Sequence, residues 1–233
     1  MAKKRRNKKR KIPPCPGPRE EYVLVDAEEG PYWRKKRGSI KEAKLNAVFQ
    51  SNADALKITS PAAKRIVKVL GNALRGLKTG RITLKLSHRL RRALQEDGRM
   101  HYRHLAGYDF QPGHPLDQLL LPGYSVVRTQ TSISVSVQPE ENPIRLHNRL
   151  VSDFYLEAFL VCGEPFENNN IFIESCISGL FNARQALVSN ELTLHLPEAG
   201  IPWMFLLKVS CLEGKELAWH PKNYGMRVIG TGE

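Results

Sequence analysis

"FYLEAFLVC" (154–162) carries the clearest periodic signal in the chain. Its apolar residues return at every second position: Phe154, Leu156, Ala158, Leu160 and Cys162. The alternate set, Tyr155, Glu157, Phe159 and Val161, is mixed. Period 2 belongs to a β-strand, because successive side chains leave opposite faces of the backbone. The same period recurs on both sides. "WMFLLKVSCL" (203–212) puts Trp203, Phe205, Leu207, Val209 and Cys211 on one face. "TSISVSVQ" (131–138) alternates Ser132, Ser134 and Ser136 with Ile133, Val135 and Val137. "ELTLHLP" (191–197) alternates Leu192, Leu194 and Leu196 with Glu191, Thr193 and His195. "IFIESCISGLF" (171–181) and "MRVIG" (226–230) complete the set. Short strands separated by Gly, Pro and Asn turns predict an antiparallel sandwich or partial barrel over 123–233.

Upstream of Gly123 the period changes to 3.6. Ser39-Ile40-Lys41-Glu42 has the form of a capping box, followed by Leu45, Val48, Phe49, Asn52 and Leu56 at helical spacing. Ser60-Pro61 reads as an N-cap with Pro at the first helical position, opening a second helix with Ala63, Ile66, Val67, Leu70, Leu74 and Leu77 inside. A third helix runs from about 81 to 97. Ile82, Leu86, Leu90, Ala93 and Leu94 face inward, Lys85, Arg89, Arg91 and Arg92 outward, and Gly98 stops it. "EYVLVDA" (21–27) and "YWRKKRG" (32–38) predict a hairpin, and "YVLV" (22–25) is a candidate to join the C-terminal sheet. The expected class is α+β, in three parts: a basic, Pro-rich tail without packed structure (1–20), a hairpin plus helical basic region (21–122), and an antiparallel β domain (123–233).

Charge is unevenly placed. The 233 residues carry +13, but residues 1–122 hold 28 Lys/Arg against 11 Asp/Glu, a net of +17, while 123–233 net −4. Eight of the first eleven residues, Lys3, Lys4, Arg5, Arg6, Lys8, Lys9, Arg10 and Lys11, are basic. Without them, 12–122 is still +9. Such a surface neutralises phosphates and releases counterions, so nucleic acid or an acidic protein surface is the expected partner. Arg34, Lys35, Lys36 and Arg37 add to it, with Tyr32 and Trp33 as stacking candidates, and Arg89, Arg91 and Arg92 as a helical set. The competing reading makes Trp33 a cover for the core and the helical Arg residues a solvated face.

Other chemistry has less support. Cys15, Cys162, Cys176 and Cys211 show no C-x-x-C spacing, and a reducing compartment is the simpler expectation. His101, His104 and His114 lie in or near loops with no neighbouring Cys, so no metal and no cofactor is expected. Asp153 and Glu157 share a strand face roughly 13 Å apart, too far for a carboxylate dyad. There is no G-x-S-x-G, P-loop or G-x-G-x-x-G. No apolar run is long enough to span a membrane, and "IPPCPGPRE" (12–20) stands where a signal peptide needs its apolar stretch. The sequence therefore leads to a non-enzymatic binding protein of the cytoplasm (or the nucleus, in a eukaryote). Assembly through the β domain and the N-terminal arm, with a homo-oligomer, is one alternative. An enzyme with an unrecognised site is the other.

Overall fold

Alternating apolar residues fold as strands only if their apolar faces are covered, and this chain covers one sheet on both sides. The computed structural model describes residues 12–27, 30–36, 46–78, 80–166 and 171–232. The chain divides into two compact units, Met1–Gln50 and Ser51–Glu233.

In the first unit, β1 (Tyr22–Ala27) and β2 (Gly30–Lys35) form the expected antiparallel hairpin, with Leu24 opposite Trp33. β1 pairs with β2 in a sheet of two strands, so "YVLV" does not extend the C-terminal sheet as expected. The Pro-rich stretch is also more ordered than its composition suggests. The Trp33 indole N–H donates to the Pro13 carbonyl at 2.7 Å, and Arg19–Glu21 form a 3-10 turn.

Helix α1 (Ala47–Leu70) corrects the two-helix reading. The Asn46 carboxamide caps it, accepting from the Phe49 N–H at 2.9 Å. The helix then runs through Pro61 without stopping. Pro61 leaves one backbone bond unmade. A continuous buried stripe, Thr59, Ala62, Ala63, Ile66 and Leu70, outweighs that loss. Val48 and Phe49, expected inside, are 67% and 61% exposed. The capping box at 39–42 lies outside the described residues. Leu74 sits in a 3-10 turn (Gly71–Leu74) beyond α1. Helix α2 (Ile82–Asp97) matches its predicted bounds, and Gly98 ends it at φ 68°, donating its N–H to the Leu94 carbonyl. α3 (Leu116–Leu119) is a single turn in the 99–122 segment.

The second unit holds two antiparallel sheets. One has three strands in the order β3 (Tyr124–Arg128), β4 (Ser132–Val137), β8 (Asn190–His195). The other is built on β5 (Asp153–Gly163) and β9 (Trp203–Glu213), paired over ten residues. β6 (Ile171–Ile177) and β7 (Phe181–Asn182) extend the β5 side. β10 (Glu216–Leu217) and β11 (Tyr224–Gly232) extend the β9 side. The face of β5 and β9 bearing Phe154, Leu156, Leu160, Phe205, Leu207 and Val209 packs against Val135, Val137, Leu192 and Leu194 of the small sheet. The opposite face, with Phe159, Val161, Met204, Leu206, Met226 and Val228, packs against Ile66, Leu70, Leu86 and Leu90. The helices and the large sheet therefore share one core, and residue 122 lies inside this unit. No described helix is long and apolar enough to cross a membrane.

The segment between α2 and β3 is pinned to the sheet edge. Arg227 on β11 makes a two-pronged contact with Asp109, Nη2 to Oδ2 at 2.7 Å and Nε to Oδ1 at 3.0 Å, and also pairs with Asp117. Hydrogen bonding to Asp109 holds the guanidinium pKa above its ordinary value.

Candidate polyanion-binding face

α2 buries Ile82, Leu86, Leu90 and Ala93, and so turns a fixed set of residues outward. Lys85, His88, Arg89 and Arg92 occupy i, i+3, i+4 and i+7 and are all exposed, so they form one stripe. Arg89 and Arg92 line two adjoining clefts. One, of about 280 Å³, is completed by Ala93, Glu96 and His104. The other, of about 440 Å³, is completed by Lys85, His88, Tyr108, Asp109 and neighbouring loop residues. The Arg89 Nε donates to the His104 carbonyl at 3.0 Å, which fixes the guanidinium along the groove. Arg92 reaches Glu96 at 2.9 Å across one helical turn. Arg91 lies off the stripe, half-buried, with Nη2 3.4 Å from His88 Nδ1.

The charge order runs against the helix dipole. α2 has no acidic residue in its first turn and no basic residue in its last. Lys85 stands near the positive end, and Glu96 and Asp97 stand at the negative end. Each such placement costs roughly 0.3–1 kcal/mol. Lys85 therefore gains nothing from the dipole, Arg89 stands mid-helix beyond its reach, and Arg92 is offset by its pair with Glu96.

At the far end, Asp97 gathers His104 and Arg103, with Oδ2 2.5 Å from His104 Nε2 and 3.2 Å from Arg103 Nη2. His104 Nδ1 accepts from the His101 backbone N–H at 3.1 Å. Both ring nitrogens of His104 are thus spent on protein partners. The His104 hydrogen bond holds the Asp97 carboxyl below its usual range. In the larger cleft Tyr108 has a buried hydroxyl with no hydrogen-bond partner among the described residues, and burial pushes its pKa up to about 12.

The other expected residues divide by position. Lys3, Lys4, Arg5, Arg6, Lys8, Lys9, Arg10, Lys11 and Arg37 lie outside the described residues. Arg34 and Lys35 sit exposed on β2, with Lys35 Nζ 3.8 Å from Glu21, and Lys36 follows directly, its N–H bonded to the Glu21 carbonyl. Tyr32 is 49% exposed on the same strand face as Arg34. Trp33 is half-buried and its N–H is committed to Pro13, which favours a covering role over stacking.

Two clusters escaped the sequence reading. Lys208 and Glu157, opposite one another on β9 and β5, form a pair of 2.9 Å with Lys208 only 3% exposed, and Ser210 donates to the same carboxylate at 3.0 Å. His147, Asn148, His220, Lys222 and Asn223 line a separate pocket of about 220 Å³. Their separation along the chain gives no local pattern. All four cysteines are free, and burial raises Cys162 and Cys211 to about 12, so neither is a ready thiolate nucleophile.

The fold and this face define an α+β protein with a cationic helix on its surface. No family model matches the sequence, and no curated protein or solved structure matches the chain.

Proposed function

We propose that the protein is a non-enzymatic binding protein that holds the phosphate backbone of a nucleic acid along α2. The observation that carries this reading is the exposed stripe Lys85, His88, Arg89 and Arg92 on one face of α2, lining two adjoining clefts. Lys85, Arg89 and Arg92 act as phosphate contacts, and Arg34, Lys35, Lys36 and the basic segment 3–11 add sequence-independent charge. Phosphate contacts fix position and supply affinity without reading bases.

The test is fluorescence anisotropy of labelled duplex and single-stranded oligonucleotides against salt. Each phosphate neutralised contributes about −0.9 to the slope of log K on log salt for a duplex. Lys85→Gln/Arg92→Gln should flatten the slope by about 2 units, and deletion of residues 1–11 by several more. If neither nucleic acid binds, and an acidic protein surface binds instead, the nucleic-acid reading falls.

A further inference from the structure

The pocket beside β11 shares no lining residue with the clefts on α2. Its walls come from two distant parts of the chain: His147 and Asn148 from the loop before β5, and His220, Lys222 and Asn223 from the turn that leads into β11. At about 220 Å³ it is too small for a drug-sized ligand or a nucleic-acid strand, and large enough for a single oxyanion group. Its surroundings are cationic. His114 feels Lys222, His147, His220 and Lys78, and His147 feels Lys222, Arg145 and His220. The one carboxylate tied to a lining residue in the described structure is Glu213, which accepts from Asn148 Nδ2 at 3.0 Å.

The pocket wall also carries an unspent donor. Asn223 is 1% exposed, and its Nδ2 has no hydrogen-bond partner among the described residues. A buried amide N–H without a partner costs roughly 1–3 kcal/mol, so a ligand that accepts from it is favoured. The local geometry fixes one tautomer: His220 Nδ1 accepts from the Lys222 N–H at 3.1 Å, which leaves its Nε2 to donate. The floor is rigid. Gln111, 4% exposed, donates to the Pro221 and Tyr224 carbonyls at 2.8 and 3.3 Å and accepts from the Lys78 N–H at 2.7 Å.

We infer that this pocket binds a small tetrahedral oxyanion of the phosphate class, held by Lys222, His147, His220 and the Asn223 amide. Burial, then neighbouring cations, depress the pKa of His114 and His147 below the ordinary histidine value. An anion placed among them reverses the second effect, so binding takes up protons and strengthens as pH falls.

The probe is sodium sulfate, whose charge is constant from pH 5.5 to 8, titrated into the full chain by calorimetry. His114 and His147 ring resonances are followed by NMR. Expected are millimolar or tighter binding, an affinity at pH 6 several-fold above that at pH 8, and an upward shift of both histidine titrations at saturating sulfate. Lys222→Gln, an exposed position whose backbone bond to His220 is retained, should weaken binding about tenfold with thermal stability unchanged. Phenyl phosphate binding more tightly than inorganic phosphate identifies a phosphomonoester as ligand, and equal affinity identifies the free oxyanion. Absence of sulfate binding at tens of millimolar, or binding that Lys222→Gln leaves unchanged, overturns the inference. The nucleic-acid reading is untouched by either result, because none of the residues assigned to it lines this pocket.

Discussion

Lys208 shows how a single side chain can define a core. Its ammonium is 3% exposed and its partner Glu157 is 18% exposed, in the side-chain layer between the large sheet and the helices. Removing one member of such a pair leaves an uncompensated charge, so Lys208→Met should destabilise the protein by about 3–5 kcal/mol in urea unfolding. The double change Lys208→Met/Glu157→Leu should recover most of that loss. A single-variant loss below about 1 kcal/mol would mean that the pair is hydrated and contributes little. Asp97 makes a different case at the surface. Its pKa is lowered in the folded state, so its stabilising contribution is full above the usual 3.8 and is lost as pH falls through the lower folded value. Asp97→Asn should therefore lower Tm at pH 6 and converge with the parent chain in strong acid. A constant offset at every pH would contradict the ion-pair account.

The helices carry the lesson about what a sequence displays. Gly98 and the bounds of α2 were legible, because a left-handed C-terminal glycine and a regular apolar stripe are local signals. So was the period-2 pattern of β4, β5, β8 and β9. Pro61 misled, because Ser-Pro is a helix-start signal in any local reading. Only the packing of Thr59, Ala62, Ala63 and Ile66 shows that the helix passes through it. Thr59 Oγ1 and Ser87 Oγ, 3.0 Å apart, also link α1 to α2 across 28 residues of sequence. The consequence is measurable. An interior proline costs up to about 3 kcal/mol, so Pro61→Ala should stabilise the protein by about 1–3 kcal/mol. A proline at the first position of a separate helix would give no gain on replacement. Lys85, Arg89, Arg91 and Arg92 were legible as the outward side of a helix over 81–97, but the same spacing leaves Arg91 off the stripe that Lys85, His88, Arg89 and Arg92 share. The clefts they line depend on the 104–112 segment, whose course no period announces.

Across the second unit, one sheet carries two cores. β5 and β9 bury alternate residues against the small sheet and against the helices, which is why their mixed faces are apolar toward one end. The β-rich architecture was readable from the strands. The sharing of a core between helices and sheet was not, since neither helix nor strand pattern names its partner. The anion pocket was illegible for the same reason: His147 and His220 stand 73 positions apart and meet only through the fold. The charge asymmetry, by contrast, was visible in counting alone, and α2 gives part of it a defined surface.

The role proposed for α2 is to supply phosphate contacts. The most direct measurement is the salt dependence of oligonucleotide binding by the full chain and by Lys85→Gln/Arg92→Gln, with matched thermal stability as the control for folding. Expected are a steep negative slope of log K on log salt for the parent chain and a slope shallower by about 2 units for the variant. Identical slopes and affinities for the two proteins would mean that Lys85 and Arg92 touch no phosphate.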